Sequence, residues 1–170
     1  EPAAGAVSEG RSGEPVHGDE LRIASDAPAT SINPATANVA FSYFTSLAYD
    51  SLFYRTPDGD LGPQLAESWE MSEGNTRLDI TLREGVTFTD GSPLDAAAVK
   101  ASLEYMASAG GGGSQYLAAI ESIEVVDDLN LTITLSEPSP MLPHLMTPKY
   151  LLGQIISPTG LADPDALTVE

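Results

Sequence analysis

The feature that most constrains how this chain folds is an alternation of apolar and polar residues that recurs in four short segments. These segments cover residues 67–71, 77–82, 122–126 and 130–135. Polar interruptions at 72–75 and 127–128 separate neighbouring segments, as hairpin turns do. Because alternation places every second side chain on the same face, the pattern predicts a small antiparallel sheet that is covered on one side, with Trp69 in its core.

A helix is predicted between the second and third of these segments. Asp95 can accept hydrogen bonds from the free backbone N–H groups of a helix start, and Leu94 and Val99 stand at the two positions of a hydrophobic staple. The predicted helix covers residues 96–107. Its apolar face consists of Val99, Leu103 and Met106. The four glycines at 110–113 end it, because glycine holds helical order poorly.

The N-terminal third carries weaker signals. Residues 21–25 alternate as a strand does, and two prolines make residues 26–34 a loop. Between residues 39 and 52, apolar residues recur at the spacing of one helical face, which predicts one helix with a buried apolar face. That face consists of Phe41, Phe44, Ala48 and Leu52. Residues 56–60 have proline and glycine placed as in a tight turn, so we predict a turn there. The segment also has two aspartates, but a calcium loop needs six or more oxygen ligands.

Groups that carry catalytic or metal chemistry are scarce. The chain has no cysteine, and its two histidines are His17 and His144, so neither a two-histidine zinc site nor a histidine-based triad is predicted. No Gly-Lys-Ser/Thr follows the glycine run, so it does not match a phosphate-binding loop. The acid pairs at 127–128 and 163–165 lie in turn-like contexts that predict solvated carboxylates. We predict no catalytic residue, no metal site and no cofactor.

The charge of the chain excludes one class of partner. Seven Lys and Arg residues stand against 25 Asp and Glu residues, for a formal net charge of −18 at pH 7. Nucleic-acid binding relies on cationic contacts with the phosphate backbone, and this chain has few of them. We therefore predict no nucleic-acid partner.

Several motifs resemble one family. They are Ala48-Tyr-Asp-Ser-Leu52, Pro63-Gln-Leu-Ala-Glu-Ser-Trp69, the run from Leu82 through Asp90-Gly-Ser-Pro93 to Leu103, and the segment 123–138. Together they resemble the first part of an extracellular solute-binding protein of ABC importers, family 5, the peptide/nickel-binding class. The resemblance covers residues 21–166.

The resemblance implies a fold and a domain organisation. The fold is α/β, of the two-lobe periplasmic-binding-protein type (class II), here as a truncated first half with a small mixed or antiparallel sheet subdomain packed by helices. Residues 1–19 are expected to form a flexible tether, and 20–170 the N-terminal part of the solute-binding domain. Within that part, 20–50 and 150–170 are large-lobe segments and 51–149 mainly form the small subdomain. Relatives continue into a second lobe, so this chain is expected to supply one face of a cleft.

The resemblance also implies ligand contacts. In relatives, residues shortly after a Leu-Asp-Pro-like triplet line the cleft, and the triplet here is Ile32-Asn33-Pro34, with Asn33 where many relatives have aspartate. The implied contacts after the triplet are Asn38, Val39, Ala40 and Phe41. A tyrosine in the loop after the helix of the Asp90-Gly-Ser-Pro93 motif approaches peptide ligands in relatives. The matching residues are Gln115 and Tyr116.

Alternatives stay open for two of these residues and for the function. Asn38 is equally well explained as a helix cap, and Tyr116 as a half-buried packing residue. The implied function is capture of a peptide or related small solute outside the membrane and its delivery to the ABC permease. The implied location is the periplasm or the outer side of the cell membrane, with an N-terminal lipid anchor. A secreted hydrolase or a sensing or adhesion module on the same fold is the alternative.

Overall fold

The computed structural model describes residues 31–167. The predicted tether at 1–19 and the predicted strand at 21–25 lie outside the described residues. Between residues 31 and 167, no helix has the length and apolar content that crossing a membrane requires.

A four-stranded antiparallel sheet forms the centre of the fold, as the alternating segments predict. Its strands are β3 (Ala66–Ser72), β4 (Arg77–Leu82), β5 (Ile120–Val125) and β6 (Asn130–Leu135). Their order across the sheet is β3-β4-β6-β5, and every neighbouring pair is antiparallel. The two predicted hairpins are therefore confirmed, and β3 and β5 are the edge strands.

One face of this sheet is buried under a helix. Leu78, Ile80 and Leu82 of β4 are buried, and Leu131 and Ile133 of β6 lie beside them. The covering helix is α2 (Ala96–Ser108), whose buried residues include Val99, Leu103 and Met106. The Asp95 side chain caps α2 by accepting a hydrogen bond from the Ala98 N–H at 2.7 Å. The helix, its cap and its buried face are confirmed.

A two-stranded ribbon precedes the sheet. It consists of β1 (Phe53–Arg55) and β2 (Leu61–Pro63), which pair antiparallel. The predicted turn at 56–60 joins them, and the Thr56 N–H donates to the Asp60 carbonyl at 2.8 Å. Residues 50–52, just before β1, form backbone hydrogen bonds with segments on both sides. The Leu65 N–H donates to the Ser51 carbonyl at 3.1 Å, and the Leu52 N–H donates to the Gly153 carbonyl at 2.8 Å.

The prediction of a single helix over 39–52 is wrong. The structure has a 3₁₀ turn at Val39–Phe41 and a four-residue helix α1 (Ser42–Thr45), followed by a turn at 46–48 and an isolated bridge at Ser51. Ala48 is exposed, Phe44 is half-buried, and Leu52 is fully buried just before β1. Backbone groups of residues 50–52 pair with two neighbouring segments, and a helix would leave those neighbours without these partners.

Trp69 is also placed differently from the prediction. It is half-buried and packs against the core from the edge strand β3, with its ring centroid 4.7 Å from that of Phe53. Phe53, in contrast, is fully buried. Trp69 stays partly exposed because its strand, β3, lies at the edge of the sheet and has a neighbouring strand on one side only.

Three short helices and two 3₁₀ turns complete the described chain. They are α3 (Ser114–Leu117), α4 (Leu142–Leu145), the 3₁₀ turn Pro148–Tyr150, α5 (Pro158–Ala162) and the 3₁₀ turn Pro164–Leu167. Ala35, Leu152 and Ile155 share the hydrophobic core with the sheet residues. The Ile156 N–H donates to the Ser102 hydroxyl of α2 at 3.0 Å. The division into 20–50, 51–149 and 150–170 stays a prediction, and these contacts cross its boundaries.

Candidate functional site

The segment that follows the Ile32-Asn33-Pro34 triplet lies at the surface. Asn38, Val39 and Ala40 are exposed. The Asn38 side chain caps the 3₁₀ turn, because its Oδ1 accepts a hydrogen bond from the Ala40 N–H at 2.9 Å. The capping role is therefore confirmed. The other polar atom of this side chain, the amide nitrogen, is not used by the cap.

Asn33 holds the base of this segment in place. It is buried, and its Oδ1 accepts from the Ala35 N–H at 3.0 Å, which sets the orientation of the amide. Its Nδ2 donates to the Tyr105 hydroxyl of α2 at 2.7 Å. Sequence reasoning noted Asn33 only as a departure from aspartate. An asparagine just before a proline suggests a turn, but the sequence could not show its hydrogen bond to Tyr105, which lies 72 residues away.

The second predicted contact region forms a one-turn helix where a loop was expected. Gln115 and Tyr116 lie on α3, and the Tyr116 side chain is 48% exposed. Both residues line a shallow depression of about 320 Å³. The rest of its lining consists of Ala118, Ala119, Ser136, Glu137, Pro138, Ser139 and Leu145. Tyr116 is thus half-packed, with one side available to a ligand.

The structure brings the two regions together at their bases. A Cβ atom on Gly111 would clash with the carbonyl oxygen of Ala35 and lie 3.4 Å from the Thr36 Cα. Gly111 precedes Gln115 by four residues, and Ala35 precedes Asn38 by three. The depression beside Tyr116 has none of residues 38–40 in its lining. The two loops are in contact, but the side chains of residues 38–40 do not line the depression beside Tyr116.

A separate cavity of about 160 Å³ lies between the 86–94 turn and the segments at 48–50 and 155–157. Its polar lining includes Tyr49, Asp50, Thr89 and Ser157. Burial, reinforced by nearby Tyr105, raises the pKa of Tyr49 above its ordinary value. Sequence reasoning missed this cavity, because its walls come from three distant segments.

The described residues offer little catalytic chemistry. Between residues 31 and 167, no group of three or more His, Asp or Glu side chains is arranged to hold a metal ion. The Asp127 carboxyl accepts hydrogen bonds within its own turn, from the Leu129 N–H and from the Asn130 side chain. These bonds lower the pKa of Asp127. This agrees with the prediction for Asp127. His144 is partly exposed on α4, and His17 lies outside the described residues.

Asp90 anchors the turn of the Asp90-Gly-Ser-Pro93 motif. Its Oδ1 accepts from the Ser92 N–H at 2.9 Å and from the Ser92 hydroxyl. These bonds, with smaller contributions from the Thr159 and Ser157 hydroxyls, hold the pKa of Asp90 at about 2, below its ordinary 3.8.

The lowered pKa predicts an acid-dependent contribution to stability. A folded-state pKa below the unfolded value gives stability that is present above about pH 4 and is lost as the pH falls towards 2. In thermal melts from pH 2 to 5, the advantage of the parent over Asp90→Asn should therefore shrink as the pH falls. Ser92→Ala, which removes one donor, should raise the titration midpoint of Asp90 measured by NMR. A parent midpoint near 4 would contradict the prediction.

Comparison with known proteins agrees with this architecture. A family described as "Bacterial extracellular solute-binding proteins, family 5 Middle" matches residues 60–166, more than half of the chain. The chain belongs to this family. The resemblance inferred from the sequence motifs is confirmed, and the match includes both the sheet and α2.

Individual family 5 relatives are similar at about 30% identity. The probable peptide ABC transporter periplasmic-binding protein y4tO of Sinorhizobium fredii is 30% identical over 115 residues, which are 67% of this chain and 22% of that protein. Glutathione-binding protein GsiB of Pectobacterium atrosepticum is 34% identical over 143 residues, 82% of this chain and 27% of that protein. The chain thus spans about a quarter of the length of these relatives.

A solved structure supports the same fold. The periplasmic binding protein AgaA of A. tumefaciens R10, in complex with agropinic acid, superposes with a TM-score of 0.73 at 26% identity. The superposition covers 84% of this chain and 29% of AgaA. The fold class implied by the resemblance, an α/β part of a periplasmic-binding-protein fold, is confirmed.

Proposed function

We propose that this protein is the substrate-binding component of an ABC-type importer, which captures a peptide or related small solute outside the membrane. The observation that carries the proposal is the family 5 match over residues 60–166, on a fold similar to that of a solute-bound binding protein. Relatives named for peptide and glutathione binding support a peptide-like solute. Delivery to the permease, an N-terminal lipid anchor and the absence of catalysis belong to the same proposal.

Within this function, the residues that follow the triplet and those on α3 form one wall of the ligand cleft. Asn38, Val39, Ala40 and Phe41 contribute one part of the wall, and Gln115 and Tyr116 the other. Contact between the two loops and the exposure of Asn38 and Tyr116 support this assignment. In such proteins the ligand lies between two lobes that close by a hinge motion, so each wall supplies part of the affinity.

Binding measurements on the full-length protein test the proposal. Dipeptides, glutathione and agropinic acid are screened by thermal shift, and calorimetry measures the affinity of any hit. Tyr116→Ala should weaken binding by about tenfold to a hundredfold, because it removes a stacking surface worth roughly 1–3 kcal/mol. The matched control is Tyr54→Ala, a similarly exposed tyrosine on β1, which should leave the affinity unchanged. Chemical conversion of the hit, in place of its release unchanged, would overturn the transport function.

Two substitutions at Asn38 separate its cap from a ligand contact. Asn38→Asp keeps an oxygen that can accept from the Ala40 N–H but removes the amide donor. Asn38→Ala removes both. If the amide contacts the solute, both variants should lose about tenfold in affinity. Full affinity in Asn38→Asp would show that Asn38 acts only as a cap.

A further inference from the structure

Three consecutive glycines have different surroundings in the loop between α2 and α3. A Cβ on Gly111 would clash with backbone, the carbonyl group of Ala35. A Cβ on Gly113 would meet the side chain of Leu152, and one on Gly112 would meet nothing within 4 Å. A flexible side chain can move aside at little cost, whereas a backbone carbonyl cannot. Gly111 is thus the position where the lack of a side chain permits two loops to touch.

Hydrogen bonds hold the Ala35 side of this contact. Buried Asn33 accepts from the Ala35 N–H and is itself bound to Tyr105 of α2. The Ala37 N–H donates to the Asn33 carbonyl at 2.8 Å. Ala35 therefore has little freedom to retreat from an added methyl group. The chain continues from this anchored turn directly into Asn38.

The Gly111 side is bound to the start of α3. The Gly111 carbonyl accepts from the Ser114 N–H at 3.1 Å and from the Ser114 hydroxyl at 2.8 Å. Gln115 and Tyr116 follow Ser114 on the same helical turn. A displacement of Gly111 is thus transmitted to the two α3 residues of the proposed wall.

We propose that Gly111 is a positioning residue, which sets the spacing between the Asn38 segment and the Tyr116 helix. A methyl group at position 111 would separate the two halves of the proposed wall at a contact that lies outside the strands of the sheet. The importance of this spacing for binding rests on the proposed function. The mechanical coupling of the two loops is independent of the proposed function, because it follows from the contact between Gly111 and Ala35 alone.

The test compares Gly111→Ala with Gly112→Ala in the full-length protein. Both changes add one methyl group in neighbouring positions of the same loop, so they are closely matched. The first readout needs no ligand: Gly111→Ala should shift the NMR amide signals of both 35–40 and 114–117. Gly112→Ala should shift only its immediate neighbours. Signals that change only at 110–113 in Gly111→Ala would overturn the coupling.

The second readout is the affinity for the hit from the solute screen. Gly111→Ala should weaken binding by about tenfold, and Gly112→Ala should bind like the parent. Shifted loops with unchanged affinity would overturn the role of this spacing in binding. A protein that binds no solute at all would contradict the proposed function, and the NMR result would still decide the coupling.

A second variant covers the case in which Gly111→Ala fails to fold. Asn33→Ser removes the side-chain link to Tyr105 and loosens the Ala35 turn from its own side. If the two loops are coupled, Asn33→Ser should shift the NMR amide signals at 111–116 as well as those at 33–40. Shifts confined to 33–40 would overturn the proposal.

Discussion

Phe53→Ala is expected to lower the free energy of unfolding by about 3–5 kcal/mol, the range typical for removing a fully buried aromatic ring. Phe53 is fully buried, and its ring packs on Trp69 where the ribbon β1–β2 meets the sheet. Its removal would leave a cavity between these two parts of the core. Urea denaturation, with the midpoint and the slope analysed together, measures the loss.

Trp69→Ala provides the comparison. Trp69 is the larger residue, but it is half-buried, so its removal should cost about 2 kcal/mol, roughly half the value for a buried ring. The double variant should lose less than the sum, because both changes remove the same ring contact. A larger loss for Trp69→Ala than for Phe53→Ala would show that the tryptophan, and not Phe53, is the central residue.

Gly153→Ala is expected to destabilise the fold by about 3 kcal/mol, near the upper end of the usual range for overpacking. A Cβ on Gly153 would clash with the carbonyl of Met146 and lie 2.8 Å from its Cα. All of these atoms are backbone, so relief requires the chain to move. The movement would strain the bond from the Leu52 N–H to the Gly153 carbonyl and expose neighbouring core residues.

Gly112→Ala is the matched control for this change. It adds the same methyl group to a loop position that has open space around it, so we expect a change within about 0.5 kcal/mol. Both variants are measured by urea denaturation. A Gly153→Ala variant as stable as Gly112→Ala would mean that the 146–153 segment yields easily. The close packing of residues 50–52 against it would then contribute little to stability.

Local patterns were sufficient for the sheet and for α2. The alternation at 77–82 and 130–135 reflects burial on one face, and each hairpin closes over a few residues. Asp95 caps α2 through a contact only three residues along the chain. Such signals lie within one element, so a single sequence displays them.

The 39–52 segment shows where local patterns failed. Its apolar spacing suits a helix, yet residues 50–52 pair with residues about 100 positions later, at 153–155. A competing partner that distant leaves no mark on the local spacing. Trp69 was misplaced for a related reason, because alternation shows which face a residue occupies but not whether its strand lies at an edge.

The candidate site was only partly predictable. The motifs led to Asn38 and Tyr116 through the family resemblance, and the cap at Asn38 was one of the two stated roles. The roles of Asn33 and Gly111 were not visible, because each depends on a partner more than 70 positions away.

The sequence by itself determined the family, the antiparallel strands and the capped helix, because motifs, alternation and capping act over short stretches of chain. Only the tertiary structure decided that residues 50–52 pair with two other segments, that Phe53 and not Trp69 is fully buried, and that Gly111 and Gly153 lie against backbone. Each of these outcomes depends on which distant segments pack together. Which distant segments pack together is decided by burial and hydrogen bonding across the whole core. No short stretch of the sequence contains that information.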